Sequence, residues 1–119
     1  MRVSLAVLIC LLLGCAKVDT TRSEAIREKK PVAVMIHGAG GGGWEWDFWK
    51  EVFEREGWEV VAPDLMPAEG GLAATSFEDY VAQVVSWCPR DKPFVLIGAS
   101  MGGILALKAA ERVEPVAIV

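Results

Sequence analysis

The amino-acid sequence predicts an α/β fold: a mostly parallel sheet of about four strands with helices on both faces. Three observations predict it. Short apolar runs recur at 32–36, 60–62, 94–97 and 116–119. The first and third are continuous rather than alternating, the mark of strands buried on both faces of a parallel sheet. Segments with helical spacing or helix stops lie between the runs, and strand-helix alternation calls for right-handed crossovers.

The elements follow in order. Val32-Ala33-Val34-Met35-Ile36 is the first strand. A glycine-rich loop covers 38–43, then an aromatic cluster of Trp44, Trp46, Phe48 and Trp49. A helix is expected over 47–56, with Gly57 as its stop. Residues 59–62 form the second strand, closed by Pro63-Asp64, and 66–75 a loop rich in Gly, Ala and Pro. Thr75 and Glu78 fit a capping box. Phe77, Tyr80, Val81, Val84 and Val85 then recur at helical spacing, so this helix has one apolar face. Pro89 ends it. Residues 94–97 form the third strand and 101–113 a further helix, which Pro115 prevents from continuing. Residues 116–119 begin a fourth strand.

Composition narrows the function classes. The 119 residues are 53% hydrophobic and 24% charged, which suits a globular domain. Net charge is −4 and no lysine or arginine cluster stands out, so nucleic-acid binding has no electrostatic support. There is one histidine, His37.

The first fifteen residues read as a signal segment. Arg2 supplies positive charge, and 3–13 is an apolar run too short to span a bilayer. The run ends Leu12-Leu13-Gly14-Cys15, which resembles a bacterial lipobox. The resemblance implies lipidation of Cys15 and export to a membrane-anchored position on the periplasmic or cell-surface face. Secretion with cleavage after Ala16 is the alternative. Residues 16–30 are polar and read as a tether. With Cys10 removed and Cys15 lipidated, Cys88 has no disulfide partner and reads as a small hydrophobe.

Gly98-Ala99-Ser100-Met101-Gly102 fits G-x-S-x-G between a predicted strand and a predicted helix, the context a nucleophile elbow requires. Serine on so sharp a turn has its hydroxyl turned away from the sheet. Small residues two before and two after let strand and helix close on the turn. At the end of the first strand stands His37-Gly38-Ala39, followed by Gly43-Trp44 and Trp46.

Together these stretches resemble the α/β-hydrolase family of serine hydrolases, in particular the branch whose oxyanion loop reads H-G, a few residues, then G-x-W-x-W. Pro63-Asp64-Leu65 matches the family's habit after the next strand. The resemblance implies a partial α/β-hydrolase fold over 31–119, Ser100 as nucleophile, and the backbone N–H groups of Met101 and Ala39 as oxyanion donors. Gly98, Gly102, His37 and Gly38 are implied supports of elbow and loop. The implied substrate is a small-molecule ester or thioester, with no metal or organic cofactor. The tryptophans are expected to pack beneath the loop, with the lining of an acyl or alcohol pocket as the alternative for some of them.

Two other readings stay open. Gly38, Gly40 and Gly43 also satisfy G-x-G-x-x-G after a strand, with Asp64 about 20 residues on, where a dinucleotide fold holds ribose. That reading leaves 98–103 without a role and sets bulky Trp44 and Trp46 against the strand. The second is a non-catalytic lipoprotein that keeps the fold as a binding module. In the resembled family acid and histidine follow the serine. After Ser100 the acids are Glu111 and Glu114, on or just past a helix, and no histidine follows. Residues 31–119 are therefore expected to be the N-terminal half of the domain, inactive alone.

Overall fold

The computed structural model describes residues 29–119. The signal segment, the lipidation of Cys15 and most of the 16–30 tether lie outside the described residues. Four parallel strands form one sheet: β1 (Val32–Ile36), β2 (Glu59–Val61), β3 (Phe94–Gly98) and β4 (Ala117–Ile118), in the order β2-β1-β3-β4. The crossovers carry α1 (Asp47–Arg55), α2 (Phe77–Trp87) and α3 (Met101–Ala109). The predicted fold class is the one observed.

The chain leaves β1 toward β2, then crosses back to β3 on the other side of β1. The direction of winding therefore reverses between β1 and β3. Right-handed crossovers then put α1 on one face and α2 with α3 on the other. A parallel sheet of this kind opens its crevice at the carboxyl ends of the two strands flanking the reversal.

β1 is the centre of the hydrophobic core. All five of its residues are buried. Val32, Val34 and Ile36 face the α2–α3 layer and join Leu96, Val81, Val84, Leu105, Ala106 and Ala109 in one cluster. Each fully buried valine, leucine or isoleucine contributes about 1.5–3 kcal/mol. The alternation of a strand turns Ala33 and Met35 to the opposite face, where they are also fully buried. The α1 layer is thinner. No residue of α1 is buried, and Phe53 meets Trp58 edge to face at 5.4 Å.

Several boundaries differ from expectation for local reasons. Ser76, not Thr75, caps α2: its hydroxyl accepts from Asp79 N–H at 3.2 Å, while the Asp79 carboxylate accepts from Ser76 N–H at 2.8 Å. The Thr75 hydroxyl is already engaged, donating to Gly71 C=O and accepting from Ala68 N–H. Phe77 lies outside the core, 42% exposed. α3 ends at Ala109 rather than 113, because the next turn tightens: Glu111 N–H bonds to Lys108 C=O and Arg112 N–H to Ala109 C=O. β2 stops one residue early, before Pro63, and β4 spans two residues. Cys88 is buried at the end of α2. Its thiol donates to Val84 C=O at 3.2 Å, and burial pushes it up to about 11.

The α2 cap titrates. The backbone N–H of Ser76, then its hydroxyl, holds the Asp79 carboxyl below its ordinary 3.8. A carboxyl depressed on folding stabilises above its unfolded value and loses that contribution as pH falls through the folded one. Asp79→Ala is expected to lower the urea midpoint at neutral pH, with the difference from the parent closing as pH falls below about 3.8. A difference that persists at low pH would show that the charge plays no part.

Candidate active site

The carboxyl ends of β1 and β3 carry every site residue predicted within the folded segment. After β3, Ala99 N–H still bonds across to Ile36 C=O at 3.0 Å, as if the ladder continued. Ser100 then turns sharply, with φ 54° and ψ −120°, and α3 begins at Met101. Ser100 is the only non-glycine residue with positive φ among the described residues. A residue held in such a conformation costs about 1–3 kcal/mol, which the surrounding packing must impose.

That packing is backbone against backbone. A Cβ at Gly98 would strike the backbone of Gly102 and Gly103. A Cβ at Gly102 would strike the carbonyl oxygens of Ile36 and His37. Strand β3, helix α3 and the end of β1 thus meet with no room for side chains. In the first turn of α3, Gly102 N–H bonds to Ala99 C=O at 2.8 Å and Gly103 N–H to Ser100 C=O at 2.9 Å. Met101 N–H donates to no group among the described residues.

The loop after β1 is held by polar contacts. His37 is 4% exposed. Leu65 N–H donates to its Nε2 at 2.8 Å, so that nitrogen carries no hydrogen. The hydrogen therefore sits on Nδ1, which donates to Gly38 C=O at 2.7 Å. Gly41 N–H reaches the same carbonyl at 3.2 Å, and Gly43 N–H donates to Asp64 Oδ1 at 2.7 Å. Ala39 N–H has no acceptor among the described residues. Gly38 faces the serine closely: a Cβ there would lie 3.3 Å from Ser100 Cβ and 3.8 Å from its Oγ.

Ser100, Met101, Gly38, Ala39, His37, Gly98 and Gly102 thus share one site. Asp64 and Leu65 join them, contacts that the sequence did not reveal. In the sequence Asp64 stands both in the Pro63-Asp64-Leu65 match and in the ribose-binding alternative. Its carboxylate instead faces Gly43 N–H, in the same loop as the glycines of that fingerprint. The strand-Pro-Asp-Leu pattern was the available signal. The tryptophans depart from expectation. Trp44 is 68% and Trp49 50% exposed, and only Trp46 of the three is partly buried, its Nε1–H lacking a partner. Residues 43–46 form a tight 3-10 turn of three residues per turn, so side chains two apart cannot share a face. Glu111 follows the far end of α3, about 16 Å from Ser100 by helix rise, with its carboxylate on Lys108 Nζ at 2.8 Å. Glu114 lies further on. No three His, Cys, Asp or Glu side chains gather as metal ligands among the described residues.

The family model described as "Alpha/beta hydrolase family" matches residues 33–119. Phospholipase YtpA of Bacillus subtilis (strain 168) is 33% identical over 90 residues, 66% of this chain and 34% of that protein. Methylesterase 3 of Arabidopsis thaliana is 33% identical over 87 residues, 65% of this chain and 32% of that protein. The crystal structure of polyneuridine aldehyde esterase superposes with a TM-score of 0.58 at 31% identity, covering 71% of this chain and 36% of that one. The chain spans about a third of the length of the curated relatives it matches.

Two substitutions test this packing. Gly102→Ala is expected to cost about 1–3 kcal/mol in urea unfolding, because the added methyl meets fixed carbonyls. Ser100→Gly is expected to be about 1 kcal/mol more stable than Ser100→Ala, since only glycine relieves the backbone strain. Equal stability of the two serine variants would mean that the turn is unstrained.

Proposed function

The chain belongs to the alpha/beta hydrolase family, and on that footing we propose that it carries the nucleophile and oxyanion half of a serine hydrolase acting on small-molecule ester or thioester bonds. One observation carries the reading. Ser100 stands on a strained strand-to-helix turn, with N–H groups at Met101 and, across the gap, at Ala39 that have no acceptor among the described residues. The relatives named above, a phospholipase and a methylesterase, agree with ester substrates.

The chemistry follows from that arrangement. Ser100 Oγ attacks the acyl carbon as its proton passes to a general base. The carbonyl oxygen becomes an oxyanion, and the N–H groups of Met101 and Ala39 receive it. Each such donor is worth roughly 3–4 kcal/mol. Collapse expels the alcohol or thiol, and water then cleaves the acyl-enzyme. His37 is not the base in this proposal, because both of its ring nitrogens are committed to backbone partners. A triad acid and histidine beyond the 119 residues given would complete the mechanism, and these residues by themselves are proposed to be inactive.

The commitment of the one histidine also favours a second reading, a non-catalytic lipoprotein that retains the fold as a binding module. Arg2, the apolar run and Leu12-Leu13-Gly14-Cys15 support export and anchoring through Cys15 in either case. Mass spectrometry of the N-terminal peptide tests this directly, and an unmodified Cys15 or cleavage after Ala16 would remove the anchor.

Residues 1–119 alone are expected to hydrolyse p-nitrophenyl acetate no faster than buffer. Turnover lost in Ser100→Ala would overturn the proposed inactivity. Protein expressed from its complete gene is expected to take up a fluorophosphonate probe at Ser100, and Ser100→Ala to take up none. Failure of the parent protein to react would favour the binding-module reading.

A further inference from the structure

We propose that Asp64 is a positioning residue for the oxyanion site, acting through the glycine loop rather than on substrate. The inference rests on the reading of Ser100 and Ala39 given above. The loop from Gly38 to Gly43 contains five glycines and one alanine, so its own side chains do nothing to fix its path. Glycine backbone is costly to order, and something outside the loop must hold it.

What holds it is the chain leaving β2. At the near end, Leu65 N–H fixes the His37 ring, and the ring fixes the Gly38 carbonyl. At the far end, Asp64 Oδ1 fixes Gly43 N–H. Between these points Gly43 lies so close to the Ala62 carbonyl that no Cβ fits. Two adjacent residues, Asp64 and Leu65, therefore pin both ends of one loop.

The consequence for Ala39 follows from peptide geometry. The Gly38–Ala39 peptide is trans and planar, so its N–H points opposite to its C=O. With the Gly38 carbonyl turned to His37 and Gly41 N–H, the Ala39 N–H is turned the other way and left free. Releasing Gly43 frees the far end of the loop, loosens the Gly38–Gly41 turn, and lets this peptide rotate. Asp64 has no contact with Ser100 in this scheme. A bond to a carboxylate is stronger than one to a neutral acceptor, so asparagine is a partial substitute and alanine none.

The test measures the rate of fluorophosphonate labelling of Ser100 in protein expressed from its complete gene, alongside urea midpoints and amide hydrogen exchange. Asp64→Ala is expected to slow labelling about tenfold, a factor typical of one lost hydrogen bond, and to speed exchange at Gly43 and at Gly41, whose N–H is bonded to Gly38 C=O. Asp64→Asn is expected to recover most of the rate. A cap on the 3-10 turn and nothing more predicts a lower midpoint with an unchanged labelling rate, which would overturn the proposal. So would an asparagine variant as slow as alanine. If Asp64→Ala does not fold, Asp64→Glu carries the same test, because it keeps the charge and misplaces the acceptor; parent-like labelling by it would overturn the proposal. If the parent protein does not label, the nucleophile reading fails and exchange decides this one: unchanged protection of Gly41 in Asp64→Ala overturns it.

Discussion

The contact between Gly102 and the end of β1 is the constraint from which the site is built. Its α-carbon lies on the carbonyls of Ile36 and His37, closer than any side chain permits. Gly98 meets Gly102 and Gly103 in the same way. These approaches draw α3 down onto the seam between β1 and β3. The short connection left between strand and helix then has to turn within one residue, and that residue is Ser100. The strain at φ 54° is thus imposed by packing. It is offset by the core around it, where Ile36, Leu96, Leu105 and Ala106 are fully buried.

The other side of the site is held by polar contacts. The loop 38–43 has no apolar side chain beyond Ala39 with which to anchor itself. It depends on a buried histidine and on the segment after β2. Because β2 is a short edge strand, its exit reaches over the end of β1, where Asp64 and Leu65 meet the loop. A buried polar group must be satisfied or it costs stability, and His37 meets that demand with both nitrogens.

Apolar surface is distributed unevenly. Trp44, Phe48 and Trp49 are exposed near α1, Ile104 and Leu107 on α3, and Val116 and Ile118 at the β4 edge. Burial is concentrated where β1, β3, α2 and α3 converge. Local stability is expected to follow that distribution, greatest at the seam carrying Ser100 and least at α1 and β4. The placement suits a site whose geometry matters, since the strained turn sits on the best-packed part of the described structure.

The sequence by itself determined the α/β class, because continuous apolar runs such as 32–36 fit only strands covered on both faces. It also located the elbow, since glycine spacing around Ser100 records how closely two backbones approach. Local competition for hydrogen bonds was harder to read. Thr75 with Glu78 fits the cap pattern in sequence, and only the engagement of Thr75 with Gly71 and Ala68 left the cap to Ser76. The outward turn of Trp44 was likewise hidden, because a 3-10 turn changes which side chains share a face. Only the tertiary structure decided the partners of His37 and of Asp64. Those contacts join residues 28 and 21 positions apart. They exist because the sheet places β2 beside β1, and no local pattern encodes which strand will be the neighbour.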